Sequence, residues 1–337
     1  MTKQAQAFWV RKPGVGELRD ARLREPGADE VLVRTLRSGI SRGTEALVFG
    51  GRVPPDQYAT MRAPFQEGEL PGPVKYGYLN VGVVERGPSE LQDRTVFCLY
   101  PHQTAYVAPA AAVAVVPEGV PPQRAVLAGT VETAVNALWD ARPLMGDRIA
   151  VVGAGMVGCC VARLLARIPG VEVTLVDTVA DRASTASALG AGFAAPDAAG
   201  GGYDLVLHAS ATAAGLQCAL DLLATDGTVV DLSWYGDTSV ELRLGGAFHS
   251  RRLSIRSSQV GTVSPARAHR RSTQDRLRLA LELLHDDAFD VLLTGRSRFE
   301  DLPVTMARLV SGAGAPLCHV IEYASVDRAS VDQIGGA

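Results

Sequence analysis

The sequence has 337 residues, 47% of them hydrophobic and 20% charged, with a formal net charge of −3. This is an ordinary globular composition, and the length suffices for two cores of common size without a disulfide or metal staple. The charge balance excludes a protein held to nucleic acid by bulk positive charge, no window nears the 18 uninterrupted apolar residues of a helical membrane span, and no basic run leading into an apolar stretch follows Met1, so no signal peptide is expected.

The first 120 residues read as short strands broken by Gly and Pro, at 6–10, 30–37, 79–85, 94–99 and 113–116. Such runs suggest a partly closed barrel or sandwich. Residues 50–73 form a long stretch rich in Gly, Pro and charge, the kind that serves as a lid or substrate loop or is simply mobile. From Pro117 the texture changes. Residues 121–129 and 131–142 carry apolar positions at helical steps. Short apolar strands at 148–152, 172–176, 204–208 and 228–232 then alternate with helices at 156–167, 180–189 and 212–224. Strands that are apolar on both faces belong in a parallel sheet covered by helices. A helix at 274–284 follows, then strand, helix (300–309) and strand (317–322), and a polar tail at 324–337.

The five cysteines (Cys98, Cys159, Cys160, Cys218, Cys318) are scattered without a CxxC pair. They read as buried thiols in a reducing, cytoplasmic setting rather than as a disulfide or zinc framework. The lysines are only Lys3, Lys12 and Lys75. Neither a Walker A loop nor a tyrosine with a catalytic lysine four places on is therefore present.

Gly153-Ala154-Gly155-Met156-Val157-Gly158 lies between a strand and a helix, and Asp177 ends the next strand, 19 residues after Gly158. That context gives each glycine a task. Gly153 makes the tight turn, Gly155 lets backbone approach a pyrophosphate, and Gly158 lets helix pack on strand. The N–H groups opening the helix, from Met156 and Val157 onward, face the phosphates. Asp177 is placed to accept from ribose hydroxyls and to repel a 2′-phosphate, which favours NAD(H) over NADP(H). Arg182, five residues on, offsets part of that repulsion.

A β-rich N-terminal half followed by this unit resembles the medium-chain dehydrogenase/reductase superfamily, over nearly the whole chain. The resemblance runs through Pro117-Glu118-Gly119, Gly146-Asp147-Arg148, residues 204–210, Gly227-Thr228-Val229-Val230 and residues 299–303. It implies an α/β protein with a GroES-like β-rich catalytic domain (1–130 and 291–337) and a Rossmann doubly wound parallel-sheet domain (131–290). Ser38-Gly-Ile-Ser41-Arg42-Gly-Thr-Glu45 and Tyr76-Gly77-Tyr78 are similar to a zinc-less branch that includes the bacteriochlorophyllide hydroxyethyl dehydrogenases and proteins labelled zinc-type alcohol dehydrogenase-like. Zinc-using relatives carry a cysteine where Ser41 stands, a histidine where Tyr78 stands, and Cys or Glu at what matches Gly129. No metal is expected here, since catalytic zinc needs three N, S or O ligands.

The resemblance also sets the candidate roles. Tyr78 occupies a former ligand place and is the candidate proton donor, with Lys75 or Arg42 expected to lower its pKa and Ser41 to relay. Glu132, Thr133 and His102 stand behind it, with Thr133 matching a nicotinamide-facing threonine. Glu132 reads equally as a carboxylate favoured at a helix start, and His102 as a structural histidine. Arg42 matches a pyrophosphate contact or forms a surface ion pair; Ser210 ends a Rossmann strand near the cofactor. Trp234 and Tyr235 end the next strand, as aromatic cover for a ligand or as core.

The leading expectation is a zinc-independent oxidoreductase moving hydride between NAD(H) and a small-molecule secondary alcohol or its ketone or aldehyde. Reduction of an enone or quinone C=C bond is one alternative; a non-catalytic dinucleotide-binding protein is another. The partners expected are a small-molecule substrate and a second copy of the chain, met through the Rossmann domain, with no nucleic acid and no membrane.

Overall fold

The computed structural model describes residues 4–312 and 316–324, so the tail expected at 324–337 lies outside the described residues beyond Ala324. The chain opens with a hairpin, β1 (Gln4–Lys12) and β2 (Val15–Arg22), turned at Gly14 with φ +77°. Ala5 and Ala7 are buried while Gln4 and Gln6 face solvent, the two-residue period of a half-buried strand. β3 (Glu30–Ile40) runs directly into a helix, α1 (Arg42–Phe49), and then into the long 50–73 stretch. That stretch is anchored rather than free. Val53 and Leu70 are buried with Phe8, Val48 and Phe49, Arg62 pairs with Glu69 at 2.8 Å, and β4 (Glu67–Gly68) pairs with β5 (Val74–Lys75). β6 (Asn80–Arg86), β7 (Thr95–Cys98), β8 (Ala105–Pro109) and β9 (Val113–Val115) complete the N-terminal β-structure.

A short helix, α2 (Pro122–Ala125), precedes α3 (Ala128–Ala141). The break falls at residues 126–127, not at Thr130, so Gly129 lies inside a helix. Packing outweighs propensity there: a Cβ on Gly129 would come within 2.6 Å of Leu79. Leu79 and α3 belong to one buried cluster that runs from the β-rich half into the C-terminal half.

Next come β10 (Arg148–Val152), α4 (Met156–Leu165), β11 (Glu172–Val176), α5 (Arg182–Ala188), β12 (Gly192–Ala194), β13 (Tyr203–His208), α6 (Ala213–Leu222), β14 (Leu223–Asp231), α7 (Ala247–Ser250) and β15 (Ser254–Ser257). The six strands form a parallel sheet in the order β12-β11-β10-β13-β14-β15. The chain leaves β10 first toward β11 and β12, then toward β13 and beyond. This reversal opens a crevice beyond the carboxyl ends of β10 and β13, where ligands bind in doubly wound sheets.

After α8 (Thr273–Leu283) the chain returns. β16 (Leu293–Arg298), α9 (Leu302–Val310) and β17 (Cys318–Glu322) join the first half, giving a sheet in the order β16-β17-β3-β6-β7-β9 with β8 also on β3. β17 pairs antiparallel with β3, His319 opposite Ile40 and Glu322 opposite Arg37. No helix among the described residues is long and apolar enough to cross a membrane.

Candidate active site

The glycine loop sits at the crevice. Gly153 has φ +105°, and a Cβ there would lie 2.7 Å from the Ser210 nitrogen on the neighbouring strand end. A Cβ on Gly158 would lie 1.9 Å from the Gly153 carbonyl oxygen, so no side chain fits where α4 crosses the loop. Gly155, the N-cap of α4, faces open space, and no side chain caps the helix. The N–H groups of Met156 and Val157 at the first turn therefore point out of the loop, toward where a phosphate is held. Asp177 braces the loop, its Oδ2 accepting from the Ala154 N–H at 2.7 Å and its Oδ1 from Val179 N–H at 2.9 Å.

Arg42 reaches this place from α1. It is half-buried, and its pKa is lowered by burial and by the charge of Arg182, against the pull of Asp177. Arg42 also lines a cavity of about 260 Å³ with Arg52, Trp234, Tyr235, Leu309 and Val310. Trp234 packs on the core of the β-rich half, and the Tyr235 hydroxyl donates to Asp231 at 2.9 Å.

One residue before Arg42, Ser41 stands beside the Tyr78 phenol, as does Thr44 one turn of the chain further on. Burial, and then the charge of Glu45, push the Tyr78 hydroxyl up to about 12, against the downward pull of those two side chains. The expectation that Lys75 or Arg42 lowers it is overturned. Lys75 is buried elsewhere, held by Glu67 and by Gln103 at 2.8 Å over the Tyr100 ring.

Glu45 is the group that sequence reasoning passed over, and it organises this side. It is 3% exposed. Its Oε1 accepts from the Ser41 N–H at 2.7 Å, and its Oε2 lies 2.9 Å from His102 Nε2. His102 Nδ1 is 2.7 Å from Ser38 Oγ, which is 2.8 Å from the Tyr323 hydroxyl. Gly77, at φ +126°, leaves room for this: a Cβ there would lie 2.9 Å from the His102 ring. The structure thus gathers Ser41, Tyr78 and His102 around Glu45. The only signal in the sequence was the spacing Ser41 to Glu45, one helical turn.

Glu132 is not among them. It is buried in an ion pair with Arg276 (3.0 Å), with its pKa raised by burial and pulled back by that guanidinium. Its reading as a proton carrier gives way to a structural one. The Thr133 hydroxyl donates to the Gly129 carbonyl at 2.9 Å, one turn back in α3. Ser210 Oγ lies 2.7 Å from His208 Nε2, while His208 Nδ1 lies 2.9 Å from Asp231, a buried chain at the carboxyl ends of β13 and β14.

Residues 148–322, just over half of the chain, match the family model described as FAD dependent oxidoreductase. The chain belongs to this family. The match takes in the glycine loop and leaves out everything before β10. Over its whole length the chain has the fold of the medium-chain dehydrogenases, with a GroES-like and a Rossmann domain. It is similar to L-idonate 5-dehydrogenase of Escherichia coli (14% identity, 96% of this chain and 99% of that one, TM-score 0.78). Others are a zinc-binding dehydrogenase of Sinorhizobium meliloti bound to NADP (17%, 95% and 99%, TM-score 0.75) and an alcohol dehydrogenase of E. coli complexed with NADH (17%, 95% and 99%, TM-score 0.75). No curated protein matches the sequence.

The buried Glu45–His102 pair yields a stability prediction. Removing the carboxylate leaves a His102 ring nitrogen and the Ser41 N–H without their partner, at about 1–3 kcal/mol for each buried group, whereas an amide keeps most of the hydrogen bonding. Glu45→Ala should therefore lose about 2 kcal/mol or more in urea unfolding, and Glu45→Gln clearly less. Equal losses would show that volume, not pairing, holds the site.

Proposed function

We propose that the protein is a zinc-independent, NAD(H)-dependent oxidoreductase that interconverts a small-molecule secondary alcohol and its ketone or aldehyde. The observation that carries this reading is the Tyr78–Ser41 hydroxyl pair, one residue from the arginine that reaches the dinucleotide crevice. Family membership alone speaks for an ADP-bearing cofactor; the nicotinamide is favoured by the whole-chain likeness to dehydrogenases with NADP or NADH bound. Gly153, Gly155, Met156, Val157 and Gly158 would hold the pyrophosphate, Asp177 the adenosine ribose, Ser210 the adenosine side through its backbone, Arg42 and Arg182 the surrounding charge, and Thr133 the nicotinamide end. A bound nicotinamide supplies or accepts the hydride.

The residues at the ligand places do not suit zinc. Ser41 and Tyr78 offer neutral hydroxyls beside each other, and Gly129 offers no donor and packs on Leu79. Both oxygens of the adjacent carboxylate, Glu45, are engaged. The negative charge that develops on a carbonyl oxygen must then be met by hydrogen-bond donors, and Tyr78 is the group with a proton to give. Its raised pKa leaves the phenol protonated but a weaker acid than an ordinary tyrosine, so its first task is to donate a hydrogen bond to the developing oxyanion, whose own basicity then draws the proton. The same donor serves the enolate formed when hydride adds to an enone, so turnover of ketones against enones separates these two chemistries. We further propose that two copies associate through the Rossmann domain, where β15 ends the parallel sheet with all four residues exposed.

Four outcomes are expected. Tyr78→Phe lowers kcat by at least about tenfold, in the range for lost acid catalysis, with NADH affinity unchanged. In the wild type the kcat profile for reduction shows no alkaline limb from this phenol until pH nears 12; a limb near the ordinary tyrosine value that Tyr78→Phe abolishes would contradict this. NADH binds about ten- to a hundredfold more tightly than NADPH, and Asp177→Ala removes the difference; equal affinities, or flavin absorbance in the purified protein, would overturn the cofactor assignment. Activity survives exhaustive chelation, whereas loss that only zinc restores would reject the metal-free reading.

A further inference from the structure

On the outer side of the Rossmann domain, the C-terminal half of α3, α4 and α8 enclose a groove of about 1160 Å³. Its floor is apolar, made by Val135, Leu138, Trp139, Leu164, Leu283 and Phe289. Its rim is cationic. Arg142, Arg167 and Arg267 line it, all three are exposed, and among the described residues none of them has an ion-pair partner. Of the two acids on the wall, Asp286 is taken by Arg163 at 2.7 Å, and Glu282 lies 3.6 Å from His285. His285 turns Nδ1 toward the Glu282 carbonyl (2.9 Å) and Nε2 toward that of Glu118 (3.0 Å). Two acceptors call for two N–H donors, the cationic form of the ring.

Arg142 caps α3 in the left-handed conformation, φ 55° and ψ 54°, which sets where its side chain leaves the helix end. Glycine fills such a place at less cost. The groove slightly exceeds the roughly 300–1,000 Å³ usual for small-molecule pockets. An apolar floor alone would suit many occupants; three unpaired guanidinium groups around it select one with negative charge at the end.

We infer that this groove is a second ligand site, for a small amphipathic anion whose chain-like apolar body lies on the Trp139–Phe289 floor and whose carboxylate or phosphate head lies among Arg142, Arg167 and Arg267. The site is separate from the dinucleotide crevice and does not depend on the proposed reaction.

Calorimetric titration of the full chain with dodecanoate below its micelle concentration tests this. One dodecanoate per chain is expected, undisturbed by saturating NADH, with dodecyltrimethylammonium at least about tenfold weaker, roughly 1.4 kcal/mol. Replacing the three arginines with glutamine should weaken dodecanoate by a similar factor. Arg142→Gly alone should weaken it without lowering the melting temperature, which a structural role for that arginine would not allow. Tryptophan fluorescence should change on binding, and Trp139→Phe should abolish the change; dodecyl phosphate distinguishes the two heads. Absence of saturable binding, uptake of several equivalents that the triple variant shares, equal affinity for the cation, or displacement by NADH would each overturn the proposal.

Discussion

A carboxylate buried in protein costs several kcal/mol unless its oxygens are met, and Glu45 places that demand at the middle of the β-rich half. One oxygen takes the Ser41 N–H and the other faces His102. Each partner then fixes something else. The first turn of α1 must begin at Ser41, which sets where the next residue, Arg42, projects. The His102 ring must lie flat against residue 77, which leaves room only for glycine. Ser38 and Tyr323 complete the chain, and they come from β3 and from just beyond β17, 285 residues apart. The return of the C-terminal segment to the first half is thus part of the site's own hydrogen bonding, beyond the pairing of β17 with β3.

The seam between the halves rests on α3, whose residues divide into stripes at helical spacing. Gly129 admits Leu79. Glu132, Asn136 and Asp140, four apart, form a buried polar row against the segment after β14 and α8. Arg276 bonds Glu132 and Asn136, the Ser264 N–H bonds Asn136 (3.0 Å), and Ser258 bonds Asp140 (2.7 Å). Val135, Leu138 and Trp139 form a third stripe, facing outward. A buried polar row is favourable only when every member is satisfied, and here the members lie more than a hundred residues from their partners.

That separation explains what the sequence could and could not disclose. The glycine loop was legible because its requirement is local: tight turn, close approach and helix start fall within six residues. The alternation of apolar strands with helices was legible for the same reason. α1 went unread because its eight residues lie between a strand and a glycine, with too few turns to establish a period. β2 went unread because its residues are mostly half-buried without alternation, although its partner β1 lies next to it in the chain, and β8 because its partner β3 lies far back in the chain. Glu132 looked like chemistry because a carboxylate near an expected domain boundary is unusual, and the arginine that satisfies it lies 144 residues on. Glu45 stood in plain sight within a quoted motif, but its role is visible only once His102 is beside it.

The two ends of a dinucleotide-dependent hydride transfer are chemically unlike. One must hold anionic phosphate and a ribose, and the other must pass a proton to a reacting oxygen. On the proposed reading, adjacent residues at the start of one short helix would serve both: Arg42, which feels the charges of Asp177 and Arg182, and Ser41, immediately before it and beside the Tyr78 phenol. Because the Ser41 N–H is held by Glu45, a shift of α1 would disturb the phosphate end and the proton end together. Burial first, and then the charge of that carboxylate, raise the Tyr78 pKa, and the same carboxylate fixes the start of the helix. The position of the phenol's neighbour and part of the phenol's hold on its proton therefore trace to one buried charge.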